Sequence, residues 1–497
     1  MLLALKVSET LRIEPKAFLR TFEQRYKHPI RKGLYMMRSQ GVATALRKYR
    51  SKVIDRSMQK DEAIIIARIT TSQGARFGFT RYLGETYTFD SRLVFESADS
   101  HVLHDVVLSK RTLALLESYA PVPTCPLAEE VAAEILRENP WLHPSDPILL
   151  DELGKNCPLS EPLSPNGQSQ VFVLGFGSYI REYVLPHFRN EVAGALDFKA
   201  ELISRWSKPQ FPLYSNVNQI MERIADATLP LVIVATYHSD HPWMALRALE
   251  SNPKSYVFVE KPAGASFDSV LPLIRAREQG AWIDVGFNRR YSQLIPRLKQ
   301  RLATMPRPLV ITARVKELKI PDTHWYFWPN QGTRITGNLC HWIDLIWSLV
   351  EERPIELTLL NSKDSVVLGM VFEDGTLANL TATDLGDDLP GVEEEIEIRG
   401  GSNTIELRNF KTLLFRGDGH SEHISLFRPD KGHKTMYKNL RRSWLSGLPP
   451  VYSPEALRWV SYTTDLAAQM FVSGQRTSRV ALDFDDLACL ASLQSAI

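Results

Sequence analysis

Two side chains carry groups suited to moving a proton while a hydride leaves carbon: Lys261, in YVFVEKPAG, and His341, in ITGNLCHWIDL. Hydride loss from an alcohol carbon needs a base for the hydroxyl proton and a cation or donor for the developing oxyanion. Lys261 follows an apolar run that reads as a buried strand, so it falls at the carboxyl end, where open parallel sheets bind ligands. Pro262 biases Lys261 toward an extended backbone and admits a cis peptide. Glu260 beside it is suited to orienting the amine or meeting a ribose. His341 and Asp344 are three apart and neighbours on a helix surface, and an imidazole exchanges its proton near neutral pH. Leu339, Trp342, Ile343, Ile346, Trp347 and Val350 form one apolar stripe, which leaves Asn338, His341, Asp344 and Ser348 on the other side. The competing structural readings are a surface lysine at a strand end and a helix-capping histidine.

A second cluster could cradle a phosphate. In VFVLGFGSYIREYVLP the strand ends at Gly175, Gly177 removes the side chain that would block a pyrophosphate, and a helix beginning near Ser178 and Tyr179 aims its positive end at the anion. Ile180 stands where a third small residue is usual and implies a displaced helix. Dinucleotide choice is set at the end of the second strand, where an acid takes ribose hydroxyls and an arginine accommodates a 2′-phosphate. With FKAELIS read as that strand, its end offers Ser204 and Arg205 and no acid, which predicts NADP(H) over NAD(H). The alternative is a solvated Arg205, with Asp197 merely starting the strand.

Together GFGSYI, ATYHSDHPWMALRAL and YVFVEKPAG resemble the Gfo/Idh/MocA family of nicotinamide-dependent oxidoreductases. The resemblance continues through GFNRRYS, ITGNLCHWIDL, FEDGTLANL, EEEIEIRGG and DKGH, over roughly residues 170–475. It implies a Rossmann-type doubly wound domain followed by an open-faced antiparallel sheet that commonly packs on another subunit, giving a homodimer or homotetramer. It implies that His341 is a catalytic acid/base, shared here with Lys261. The family often has an aspartate four residues before this histidine; this chain has Gly337, and Asn338 cannot titrate in its place. Thr236, His238 and His241 are placed near the nicotinamide and diphosphate, and Glu260 near the cofactor. Arg289, Arg290 and Tyr291, with Asn338 and Asp344, are placed toward the substrate. The two arginines suit a phosphorylated or carboxylated sugar, and equally suit interdomain ion pairs. A metal reading of His238 and His241 lacks a third ligand.

The elements that must position these groups follow from texture. At 497 residues the chain holds two or three compact units, and 44% apolar with 23% charged residues describes a globular protein. A formal charge of +2 gives no pull toward nucleic acid or lipid. The four cysteines show no metal spacing, and no apolar run approaches the length that crosses a bilayer, so the reading is cytoplasmic, with no membrane insertion. Residues 1–165 form an α+β domain of no recognised type: helical and basic from Met1 to about Lys60, then strands such as AIIIARIT, RFGFTRYL and HVLHDVVL. A Pro- and Ser-rich linker, NCPLSEPLSPNGQSQ, leads to a dinucleotide domain over 169–288 with parallel strands VFVLGF, FKAELIS, LVIVAT and YVFVEK. From 289 to 497 apolar and polar residues alternate, as in an antiparallel sheet with one wet face. The resulting expectation is hydride transfer between NADP(H), or NAD(H), and a secondary alcohol of a sugar or nucleotide-sugar, in the setting of cell-surface polysaccharide synthesis that the resemblance implies. The alternatives are a catalytically silent nucleotide-binding scaffold, which Ile180 and Gly337 favour, and an imine- or biliverdin-type reductase.

Overall fold

The computed structural model describes residues 6–13, 36–59, 62–71, 74–83, 90–97, 100–106, 170–197, 203, 209–214, 217–319, 332–386 and 391–480. Two compact units divide the chain: Met1–Phe287 with Ile320–Gly337 and His433–Leu457, and Asn288–Lys319 with Asn338–Gly432 and Arg458–Ile497.

In the first unit, β1 (Lys6–Ile13), β2 (Glu62–Thr71), β3 (Gly74–Leu83), β4 (Asp90–Ser97) and β5 (Ser100–Val106) form an antiparallel sheet in sequence order. The strand at Lys6–Ile13 corrects the expectation of an all-helical start. Its pairing with the isoleucine-rich β2 outweighs the local pattern, as non-local partners often do for strands. Helix α1 (Val42–Gln59) lies in the stretch read as helical and basic.

The same unit holds a wholly parallel sheet of β6 (Val171–Leu174), β7 (Val192–Leu196), β8 (Leu213–Tyr214), β9 (Leu231–Val234), β10 (Tyr256–Val259) and β11 (Trp282–Val285). Its order, β11-β10-β9-β6-β7-β8, is that of a doubly wound Rossmann-type sheet. The order reverses at β6 and β9, and a ligand crevice opens at the carboxyl ends of strands that diverge this way. β6, β9 and β10 are buried throughout, as apolar runs covered on both faces require. Each Val, Leu or Ile so withdrawn from water contributes about 1.5–3 kcal/mol. Helices α2 (Val217–Ala225), α3 (His241–Ser251) and α4 (Phe267–Glu278) cover the sheet, α3 lying on β9 and β10.

The second strand is VAGAL, and FKAELIS, of which only Ile203 is among the described residues, is not it. Ala193, Gly194 and Ala195 make a weak hydrophobic signal, yet the smallness has a use. A Cβ on Gly194 would stand 2.9 Å from Cε2 of Tyr214 in β8, so a larger residue would displace that ring.

The second unit is built on nine strands: β12 (Val310–Lys316), β13 (Pro354–Asn361), β14 (Ser365–Phe372), β15 (Leu377–Thr383), β16 (Glu393–Gly400), β17 (Asn403–Arg408), β18 (Thr412–Gly417), β19 (His420–Ser425) and β20 (Thr477–Arg479). They lie in the order β19-β18-β17-β16-β12-β15-β14-β13-β20. One face is buried, as in β12, where Ile311, Ala313 and Val315 alternate with exposed neighbours. The sheet is mixed, correcting the purely antiparallel expectation: β12 runs parallel to β15, Val310 opposite Leu377, while the other pairs are antiparallel. Alternation reports a buried face and carries no information on strand direction. Helices α5 (Ile295–Leu302) and α6 (Cys340–Val350) belong to this unit, α7 (His433–Leu445) to the first, and α8 (Pro454–Ser473) follows. Every residue of α6 except His341 is buried, Asp344 and Ser348 included, so its polar side is not the open face that periodicity suggested. Among the described residues no helix is long and apolar enough to cross a membrane.

Candidate functional site

Gly175 ends β6 with φ +91°, and a Cβ there would stand 2.4 Å from the carbonyl oxygen of Ala235, so turn and close approach both demand glycine. Gly177 differs. It is exposed, and a Cβ on it would meet nothing within 4 Å, which leaves open space beside the loop. Ser178 and Tyr179 begin a helical stretch in which the buried Ile180 opens a π-helical turn, Ile180–Val184, running on into Leu185–Phe188. The wider turn accommodates a bulky residue where a small one would let a regular helix close on the strand. Nη1 of Arg181 donates to the carbonyl of Phe176 at 2.9 Å and steadies the loop.

The residue that follows β7 is Asp197, and the Phe176 N–H donates to its Oδ2 at 3.0 Å. A buried acid therefore sits at the end of the second strand beside the glycine loop. This corrects the reading that found no acid there; Ser204 and Arg205 lie outside the described residues. Tyr179, expected at the cofactor, has its side chain turned to protein partners. Its hydroxyl lies 2.8 Å from that of Tyr437 and its ring stacks on Tyr183 at 5.1 Å, so its side chain is engaged by protein.

At the end of β9, Oγ1 of Thr236 is buried with no hydrogen-bond partner. This orphaned hydroxyl, the open space at Gly177 and the acid at Asp197 together fit a dinucleotide laid over the strand ends. His238 is buried in a single turn, edge-on to His241 at 5.8 Å between ring centres. Nδ1 of His241 lies 2.7 Å from the carbonyl of Pro262 and Nε2 3.2 Å from that of Thr236. Burial pushes this imidazole down to about 4, so near neutral pH it has one N–H, which the closer Pro262 carbonyl receives. His241, expected near the cofactor, thus braces two strand-end turns.

Lys261 projects from the end of β10, and its Nζ donates to the carbonyl oxygen of Gly337 at 2.8 Å; the Lys261–Pro262 peptide is cis. This main-chain oxygen takes up one of the three N–H donors of the ammonium. Glu260 is buried, and its Oε1 accepts from the hydroxyl of Tyr437 on α7. Burial pushes its carboxyl up to about 7, against the hydrogen bond from Tyr437 and the charge of Lys261, which both favour the anion. Sequence reasoning passed over both Tyr437 and the Gly337 carbonyl. A lone tyrosine on a basic helix and a backbone oxygen leave no pattern to find.

In the second unit the arginines are spent on ion pairs. Arg289 is buried, its Nε 2.7 Å and Nη2 2.6 Å from Oε1 of Glu394, with its guanidinium 4.2 Å from the ring centre of Trp342. Lys431 meets the other oxygen of Glu394. Burial pushes the Glu394 carboxyl up, but Arg289 and Lys431 prevail and hold it below the usual range. Nε of Arg290 lies 3.0 Å from Oδ2 of the fully buried Asp344, and its Nη2 2.5 Å from Oδ1. These pairs engage Arg289, Arg290 and Asp344, which the sequence reading placed toward the substrate. They also differ from the interdomain pairs considered, since all partners lie within one unit. Tyr291 and Asn338 are half-buried. His341 opens α6 half-exposed, edge-on to Trp342 at 6.1 Å. DKGH is explained locally: Asn288 donates to the carbonyl of Lys431 at 2.6 Å, and a Cβ on Gly432 would stand 2.1 Å from the carbonyl oxygen of Asn288.

No family model matches the chain. An inositol 2-dehydrogenase/D-chiro-inositol 3-dehydrogenase of Lacticaseibacillus casei is 25% identical over 201 residues, 38% of this chain and 56% of that relative. The matched stretch thus spans little more than half of the relative's length. Among solved structures, the chain is similar to the myo-inositol dehydrogenase of Lactobacillus casei in complex with NAD(H) and myo-inositol, with a TM-score of 0.52 and 18% identity over 63% of this chain and 97% of that one. It is also similar to the UDP-N-acetylglucosamine 3-dehydrogenase GnnA of Acidithiobacillus ferrooxidans, with a TM-score of 0.51 and 18% identity over 61% of this chain and 98% of that one. At such identities the structural likeness carries the fold: a Rossmann-type sheet and a separate mixed sheet.

Proposed function

We propose, from the resemblance of this chain to the Gfo/Idh/MocA oxidoreductases and from the cradle at its strand ends, that it is a nicotinamide-dependent oxidoreductase acting on a secondary alcohol or ketone of a sugar, cyclic polyol or nucleotide-sugar. The observation that carries the reading is the set of groups at the ends of adjoining strands: the open side of Gly177, the partnerless Thr236 hydroxyl and, one strand on, Lys261. Asp197 favours NAD(H) over NADP(H), because a carboxylate at the second strand's end accepts from ribose hydroxyls and repels a 2′-phosphate. The names of the relatives, dehydrogenases of inositol and of UDP-N-acetylglucosamine, support the substrate class.

Gly175, Gly177, Ser178, Asp197 and Thr236 would hold the dinucleotide, whose nicotinamide supplies or takes up the hydride when bound. Lys261, oriented by the Gly337 carbonyl, presents a positive donor to the substrate oxygen and stabilises it as the hydroxyl proton departs. His341 receives that proton during oxidation and returns it during reduction. The scaffold reading loses its two supports: the π-helical turn takes in Ile180, and Gly337 anchors Lys261 through its backbone. The outer face of the mixed sheet exposes Val310 and Leu377 as paired neighbours, along with Ile355 and Leu360, which supports a homo-oligomer formed through that face.

The test is a panel of inositols, sugars and nucleotide-sugars assayed for a substrate-dependent change in reduced-nicotinamide absorbance. At least one should turn over, and His341→Ala should lower its turnover far more than its affinity for NADH. Confirmed NADH binding with no turnover across the panel would reject the reading, and unchanged turnover in His341→Ala would remove that residue from the mechanism.

A further inference from the structure

The mechanism above leaves a buried carboxyl and two tyrosines unused. Glu260 lies at the end of β10 against the end of β11, where Gly286 has no side chain; a Cβ there would come 3.0 Å from Oε2 of Glu260. Its other oxygen is held by Tyr437, itself wholly buried, and the hydroxyl of Tyr437 meets that of Tyr179 at 2.8 Å. Tyr179 lies two residues beyond Gly177 in the cradle loop. Its ring is fixed by stacking on Tyr183 and by His433, at 5.1 and 6.3 Å between centres. A phenol has one proton to give. While Glu260 is an anion, Tyr437 donates to it, so Tyr179 must donate to Tyr437, and in that state the chain runs from the cradle loop to the turn that carries Lys261.

We propose that Tyr437 and Tyr179 are positioning residues which hold Glu260 as the ionisable counter-charge of Lys261, so that a two-phenol relay from the cradle loop sets the charge at the strand-end turn. Its meaning for turnover rests on the oxidoreductase reading; the relay itself belongs to the protein alone.

The groups around Glu260 leave it few other partners. Lys261 is next to it in the chain and favours its anion. From α3 comes His241, neutral and committed to the Pro262 carbonyl. The rings of His433 and His187 lie against Tyr179 and Tyr437 respectively, at 6.3 and 5.7 Å. From β11 comes Gly286, with no charge. The anion of Glu260 is thus supported by one phenol, one ammonium and the backbone N–H of Lys261 against the cost of burial, and its ionisation falls near neutrality, at about 7. Removing the phenol oxygen withdraws the largest of these three supports. Glu260 then holds its proton to higher pH, and Lys261 loses its counter-charge over the same interval.

The direct test uses the full-length chain without cofactor. The infrared carbonyl stretch of a protonated carboxylic acid, taken as the difference between the native protein and Glu260→Gln so that other buried acids cancel, should disappear with a midpoint near 7. In Tyr437→Phe the midpoint should rise by about one pH unit, the worth of one hydrogen bond to a charged acceptor. In Tyr179→Phe it should rise by less, since that residue acts through Tyr437. In the active enzyme the acid limb of kcat/KM should move the same way in both variants. A midpoint in Tyr437→Phe equal to the native one, or no titrating carboxyl lost in Glu260→Gln, overturns the proposal. Should Tyr437→Phe not fold, the Tyr179→Phe midpoint decides: any upward shift supports the relay, and none refutes it. A chain inactive on every sugar but with the shifted midpoints would refute the oxidoreductase reading and leave the relay standing.

Discussion

Replacing Gly175 and Gly177 one at a time by alanine separates what the loop does for the fold from what it does for a cofactor. At Gly175 the backbone is left-handed, at φ +91°, and the new Cβ would lie 2.4 Å from the Ala235 carbonyl oxygen. The conformational penalty alone is about 1–2 kcal/mol, and the obstacle is main chain between two buried strands, so no side chain can swing away. A domain of this size loses about 2–4 °C of melting temperature per kcal/mol, so Gly175→Ala should melt several degrees early. Gly177 has no positive φ, and its Cβ would point into open space, so Gly177→Ala should melt with the native protein. The same methyl would stand where a pyrophosphate backs onto the loop. Overpacking of that kind costs about 1–3 kcal/mol, a loss of roughly tenfold to a hundredfold in affinity. NADH fluorescence titration and thermal melting on the two variants measure both effects. Native-like NADH affinity in Gly177→Ala would show that no dinucleotide lies on this loop.

Two further expectations follow from the acids. The native protein should bind NADH more tightly than NADPH, and Asp197→Asn, which keeps an acceptor for the Phe176 N–H, should cost about tenfold in NADH affinity while narrowing the preference; tighter NADPH binding by the native protein contradicts the role given to Asp197. Because Glu394 is held below its ordinary value of 4.5 when folded, the folded state binds fewer protons there than the unfolded one. Its stabilisation is complete above that value and is lost as pH falls through the lower folded value. Glu394→Gln should therefore lose about 3–5 kcal/mol near neutrality by stranding Arg289 and Lys431, and its stability should fall less steeply below pH 4.5 than the native protein's. Chemical denaturation across that range measures both, and equal slopes would show that Glu394 does not govern the acid limb.

What sequence could disclose was decided by whether a feature has a period. Val171–Leu174, Leu231–Val234 and Tyr256–Val259 are unbroken apolar runs, and all three are the buried central strands expected of them. VAGAL was passed over because a strand squeezed against Tyr214 must be small, and smallness resembles a turn. That one displacement moved the expected end of the second strand from Asp197 to Ser204, and with it the residues from which a cofactor preference is read. The parallel pairing of β12 with β15 had no signature, since alternation is the same whichever way the neighbour runs. Gly175 and Gly177 were legible as a pair, but only the structure distinguishes the one that the backbone needs from the one that leaves space.

For charges, the residue types were visible and their allegiances were not, although one signal was available. In EEEIEIRG the buried phase of the strand, marked by Ile396 and Ile398, also contains Glu394, and in CHWIDLIWSLV an apolar helix contains Asp344. A charged acid on a core face is well served by a cation, and two adjacent arginines, Arg289 and Arg290, lie in the same unit. Counting those acids first would have assigned both arginines to the interior. Since Arg289 and Arg290 are so paired, the proposed oxidoreductase should recognise its substrate through hydroxyls: an unphosphorylated ring should turn over at least as well as its phosphate ester, and a marked preference for the ester would mean that cations read the substrate.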